Sequence, residues 1–131
     1  MTQLDISEPT DPVVAVIGMG YVGLPLAVAL ASSGTRVIGY DINPSVVTSL
    51  ARGQSHIGDI GQSEIADVIN RAFTVTSDEG DLQSANSFII CVPTPLDRVG
   101  EPVLRAVLAA GASVSRNISK GDLVIDRKSV V

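Results

Sequence analysis

The chain predicts an α/β fold, a doubly wound parallel sheet in a single domain, and three observations carry that expectation. Short runs of β-branched and aliphatic residues alternate with segments of helical periodicity along the 131 residues. The first run, Val13 to Ile17, opens directly into Gly18, Gly20 and Gly23, a G-x-G-x-x-G spacing. The second run, Arg36 to Tyr40, ends in Asp41, roughly twenty residues beyond that turn. Strand, glycine turn, helix, strand and acid in this order predict a Rossmann unit. The expected strand order is 3-2-1-4-5, with right-handed crossovers.

Taken in order, residues 1–11 are polar and read as a flexible leader, and residues 12–126 as the domain. Val13 to Ile17 is apolar throughout, as a strand buried on both faces requires. A helix is expected from about Tyr21 to Ser33, with Pro25 in its first turn and Gly34 as its stop. Leu24, Ala27, Val28 and Ala31 fall at helical spacing and should face the sheet. After the second strand, Asn43 and Pro44 suit the cap and first position of a helix ending near Gly53. That helix should turn Val46, Val47 and Leu50 inward. Gln54 to Gly61 reads as loop, and a polar helix with an Ile65, Val68, Ile69 stripe as running from about Gln62 to Arg71. Phe73 to Thr76 is the third strand. Ser77 to Ala85 is a short acidic helix or turn capped by Ser77 or Asp78. Ser87 to Val92 is the fourth strand, ended by Pro93-Thr94-Pro95. Leu96 to Pro102 is loop, Val103 to Arg116 the last helix and Leu123 to Ile125 the last strand.

Composition narrows the functional classes. The core must be aliphatic, because 45% of residues are hydrophobic and only 3% aromatic. A net charge of −5 argues against nucleic acid or an anionic membrane surface as partner. No apolar run reaches the roughly twenty residues that span a bilayer. The acidic start lacks the basic opening of a signal peptide, so a cytoplasmic location is expected. One cysteine and one histidine, His56, leave no disulfide and no metal-ligand cluster.

The glycine turn carries the chemistry. Gly18 is expected to make the tight turn, Gly20 to let a pyrophosphate approach the backbone, and Gly23 to let helix and strand pack closely. The helix N-terminus adds N–H donors and partial positive charge. Asp41 would accept both hydroxyls of a ribose and would repel a 2′-phosphate. No Arg or Lys follows it in Ile42-Asn43-Pro44-Ser45, so NAD is expected over NADP. A plain βαβ unit would explain the glycines but not the position of the acid. In such sheets the ligand crosses the C-terminal strand ends, which aligns Gly18 to Gly23, Asp41 and Cys91 to Pro95 along one edge.

Several stretches together resemble the N-terminal NAD-binding domain of the UDP-glucose/GDP-mannose dehydrogenase family. They are Gly18-Met19-Gly20-Tyr21-Val22-Gly23-Leu24-Pro25-Leu26, Val37-Ile38-Gly39-Tyr40-Asp41-Ile42-Asn43, Gly53-Gln54-Ser55-His56-Ile57, Ile89-Ile90-Cys91-Val92-Pro93-Thr94-Pro95-Leu96-Asp97 and Lys120-Gly121-Asp122-Leu123-Val124. The Pro-Thr-Pro form looks most like the branch that oxidises UDP-N-acetyl-hexosamines. The resemblance implies oxidation of a nucleotide sugar's C6 alcohol to a carboxylate with two NAD, through a thiohemiacetal on a catalytic thiol. In the family the catalytic groups lie in later domains, so the expectation is a truncated chain with no catalytic residue of its own. Cys91 matches a strand-end position, not the nucleophile.

The resemblance makes Gly18, Met19, Gly20, Tyr21, Val22, Gly23, Asp41, Asn43, Cys91, Val92, Pro93 and Thr94 the cofactor-binding set. Tyr21 and Val22 would act through backbone, and Thr94 through its hydroxyl. The family's basic residue shortly after the acid is replaced by Val46. Its Glu-Ser-Thr-Val run is replaced by the divergent tail, residues 127–131, Arg127-Lys128-Ser129-Val130-Val131. The expected partners are NAD and, only with further domains, a UDP-sugar. Two rival readings remain. One is a non-catalytic dinucleotide-binding or self-associating module, a homo-oligomer through an exposed last strand. The other is a different NAD-linked hydroxyacid dehydrogenase, a class lacking the Pro-Thr-Pro-Leu-Asp run.

Overall fold

A computed structural model describes residues 11–55, 62–92, 98–100, 105–119 and 121–126. Its centre is the first strand. β1 (Val13–Ile17) pairs in parallel with β2 (Arg36–Tyr40) on one side and with β4 (Ser87–Ile90) on the other. β3 (Phe73–Thr76) adds beyond β2, and β5 (Leu123–Asp126) beyond β4, giving the order β3-β2-β1-β4-β5. The order is the one predicted, and it puts the chain's reversal of direction at β1 and β4.

A two-residue period divides β1 between two cores. Val14 and Val16 join a cluster with Leu24, Ala27, Val28 and Ala31 of α1 (Gly23–Ser32), Leu50 of α2 (Pro44–Ala51) and Ile65 and Val68 of α3 (Gln62–Val68). Ala15 and Ile17 join the opposite cluster with Leu82, Phe88, and Ala110 and Val114 of α4 (Arg105–Asn117). Helices therefore cover both faces, which is why the central strand β1 contains no polar residue.

Several element boundaries differ from expectation, and four of them have a local reason. α1 begins at Gly23 rather than Tyr21, because the glycine turn uses residues 18–22. α3 stops at Val68, and Asn70 adopts a left-handed φ of 62° while its N–H donates to Phe73 O, starting β3. The acidic segment is a 3₁₀ helix, Glu79–Ser84, whose cap is Asp78 through its side chain to the Gly80 N–H. β4 ends at Ile90 rather than Val92, and the Cys91 N–H makes the last bond to Ile17 O. The expected loops around His56 and Leu96 to Pro102 fall mostly outside the described residues, as do Pro93 and Thr94.

Candidate functional site

The C-terminal ends of β1 and β2 are joined through the glycine turn. Gly18 leaves β1 at φ 102°, and a Cβ there would stand 3.0 Å from Cys91 O, so only glycine suits the position. Its N–H donates to Tyr40 O at 2.8 Å, which ties the turn to β2. Gly23 opens α1 so close to the turn that a Cβ would overlap the Gly18 carbonyl oxygen. Gly20 differs from both: a Cβ would meet nothing within 4 Å, so this is the open side of the turn. Among the described residues the N–H groups of Gly20, Tyr21 and Val22 donate to no protein acceptor. Together with the start of α1 they form a ready cradle for an anion.

Asp41 faces this cradle. One carboxylate oxygen accepts the Met19 N–H at 3.0 Å, and the other accepts the Asn43 N–H at 2.9 Å. Each oxygen keeps a lone pair, so the group is oriented and still able to accept two hydroxyls. Asn43 itself caps α2 by accepting the Ser45 N–H at 3.0 Å, with Pro44 at the first helical position, as predicted. Asn43 thus meets Asp41 through its backbone, while its side chain serves the helix.

A cleft of about 380 Å³ opens between these groups, lined by Gly18, Met19, Gly20, Tyr40, Asp41, Ile42 and Val92 and, opposite them, by Ala106, Ala109, Ala110 and Ser113 of α4. Ile42 stands at its mouth, 78% exposed. A larger concavity of about 500 Å³ lies over β2 and β3 beside Arg36, Arg71 and Thr74, but it holds none of the expected site residues. The smaller cleft is the one the chemistry selects.

Of the expected set, Gly18, Met19, Gly20, Asp41 and Val92 line the cleft. Cys91 is buried behind the turn, where a Cβ on Gly23 would stand 3.2 Å from its Cβ, and it does not line the cavity. The Met19 side chain also points away: its sulfur stands 2.6 Å from where a Gly39 Cβ would lie, within the α1-side core. Met19 meets Asp41 through its N–H. Tyr21 projects into solvent, 76% exposed. Sequence reasoning missed the α4 wall. Its signal was the run of small residues at 106, 109, 110 and 113, which period and spacing could assign to a helix but not to a cavity.

Fold and cleft together define a Rossmann dinucleotide-binding domain, with an acid at the ribose position and a backbone cradle at the phosphate position. The chain belongs to the UDP-glucose/GDP-mannose dehydrogenase family: the model of that family's NAD-binding domain matches residues 13–131. NAD is accordingly the cofactor of this domain. A UDP-N-acetyl-D-glucosamine 6-dehydrogenase of Pseudomonas aeruginosa is 38% identical over 120 residues, covering 92% of this chain and 28% of that protein. The structure of a UDP-D-ManNAc dehydrogenase from Pyrococcus horikoshii superimposes with a TM-score of 0.83 at 38% identity, covering 88% of this chain and 28% of the other. A UDP-glucose dehydrogenase from Pyrobaculum islandicum gives 0.84 at 31% identity, with 98% and 31% covered. The chain thus spans under a third of the length of these relatives. Among the described residues no helix is long and apolar enough to cross a membrane, and no cluster of His, Cys, Asp or Glu could hold a metal.

Proposed function

We propose that this chain is the cofactor-binding part of a cytoplasmic nucleotide-sugar 6-dehydrogenase of the UDP-N-acetyl-hexosamine branch. The reaction takes a C6 alcohol and water to a carboxylate while two NAD accept the electrons as hydride. The observation that carries the reading is the pairing of Asp41 with the Met19 N–H, which fixes the strand-end acid against the glycine turn. Gly18 to Gly23 hold the pyrophosphate, chiefly through the N–H groups of Gly20, Tyr21 and Val22. Asp41 takes the adenosine ribose, with Asn43 steadying it. Val92 extends the path toward the nicotinamide, with Cys91 packed behind the turn. When bound there, NAD supplies a hydride acceptor. These residues contribute orientation and exclusion of a 2′-phosphate.

The cofactor domain occupies 12–126, and the catalytic thiol and sugar-reading groups belong to domains outside this sequence. The isolated chain is expected to bind NAD weakly and oxidise nothing. Calorimetric titration with NAD, NADP and a UDP-sugar tests this: NAD should bind, NADP should not, and Asp41→Ala should abolish the NAD signal. Absence of binding at millimolar NAD would refute the cofactor reading. Reduction of NAD by the 131-residue chain with any UDP-sugar would refute the division of labour.

One observation favours a second reading, self-association. On β5, Leu123, Val124 and Ile125 are exposed on an edge strand, an apolar edge of the kind that pairs with another chain.

A further inference from the structure

α4 supplies one whole wall of the cleft, through Ala106, Ala109, Ala110 and Ser113. Its apolar hold on the sheet is modest: Ala110 and Val114 are its members of the buried cluster beneath it. Four side-chain hydrogen bonds tie it to the 3₁₀ helix, and all four end on the Glu79 carboxylate. Arg116 donates to both oxygens, from Nε at 2.6 Å and from Nη2 at 2.7 Å. The Ser113 hydroxyl donates at 3.1 Å and the Asn117 amide at 3.4 Å. Ser113 is the joint between tie and cleft, since it lines the cavity and is itself buried.

The 3₁₀ helix that carries Glu79 is also referenced to the opposite wall. The Thr76 hydroxyl donates to Asp81 within that helix at 2.5 Å, and Thr76 O accepts the Asp41 N–H at 3.1 Å. One short turn therefore fixes the distance between the ribose-binding acid and the α4 face. The rest of that face is alanine, which has no rotamers with which to follow a displaced helix. A gap of half an ångström to one ångström forfeits a quarter to a half of the dispersion attraction across it. Helix position converts directly into fit.

We infer that Glu79 is a positioning residue that sets the width of the cofactor cleft by holding α4 through Ser113, Arg116 and Asn117; the inference rests on the cofactor reading above. The test is calorimetry with NAD and ADP-ribose on the parent chain, Glu79→Ala, Arg116→Lys and Ser113→Ala, alongside methyl resonances of labelled alanine. Glu79→Ala should weaken both ligands about tenfold or more at unchanged stoichiometry, because preorganisation is lost rather than a ligand contact. Arg116→Lys and Ser113→Ala, which each remove part of the tie, should fall between. Ligand-induced shifts of the Ala106 and Ala109 methyls should shrink in the same order, a readout that simple destabilisation would not move. A parent that binds NAD with all three variants equal to it overturns this inference alone. A parent that binds neither ligand overturns the cofactor reading first. If Glu79→Ala does not fold, the two milder variants decide.

Discussion

Gly20 and Gly23 share one motif, yet their surroundings give them opposite sensitivities. A methyl group on Gly23 collides with the Gly18 carbonyl, which is backbone and cannot rotate away. Gly23→Ala should therefore cost about 3 kcal/mol of stability, the upper range for overpacking. A methyl group on Gly20 meets open space. Gly20→Ala should leave urea unfolding nearly unchanged and weaken NAD binding, because the methyl takes the room a pyrophosphate needs. Unfolding and titration of both variants separate the two roles; equal loss of stability would contradict the assignment. Glu79 offers a second residue-scale prediction. The fork from Arg116 holds its carboxyl down from 4.5 to about 2, aided by Ser113 and Asn117, while among the described residues Tyr40 also acts on Arg116. Between those two values the unfolded chain binds the extra proton, so stability rises with pH there. The contribution of the charge is full above pH 4.5 and is lost as pH falls toward about 2. The stability difference between the parent and Glu79→Gln should follow that window, and a difference that persisted unchanged at pH 2 would contradict it.

At the scale of elements, α2 shows how much local chemistry the sequence states openly. Asn43 before Pro44 predicts a cap, and the side chain accepts the Ser45 N–H as expected. Asn43→Ala should cost about 1 kcal/mol in chemical denaturation. NAD affinity should change little, because the contact with Asp41 comes from the backbone N–H, which alanine keeps. The glycine turn and Asp41 were legible for the same reason: both are short-range patterns whose geometry follows from residue type. The misplaced boundaries were set by tertiary pairing. Ile69 bridges to Phe73 and Asn70 turns left-handed to permit it, which ends a helix that its apolar stripe would have continued. The 3₁₀ form of residues 79–84 likewise answers to Leu82, which must reach the core within a short crossover. The α4 wall was illegible because Ala109 lies 68 positions after Asp41 (109 − 41), and nothing local records that they face each other. The Glu79 tie, 37 positions from Arg116, was hidden in the same way.

For the whole molecule, the two sides of the sheet are not equally finished. β3 at one edge buries Phe73 completely, whereas β5 at the other leaves Leu123, Val124 and Ile125 between 41% and 56% exposed. These residues alternate across the strand, so apolar surface is presented on both faces as well as along a backbone edge that pairs with no further strand among the described residues. A parallel sheet buries its strands on both faces, and Leu123, Val124 and Ile125 of β5 do not meet that condition. Net charge of −5 opposes association of two copies, but it is screened beyond about 8 Å at physiological ionic strength, whereas edge pairing acts at contact. The chain is therefore expected to self-associate through β5, more so as salt is added. Sedimentation velocity across concentration should show mass rising above the 13.5 kDa monomer. Val124→Lys, which places a charge on the exposed strand, should restore the monomer without loss of NAD binding, since the cleft is lined from β1, β2, Val92 and α4. A parent chain that stays monomeric at high concentration and high salt would remove self-association as a function of this edge.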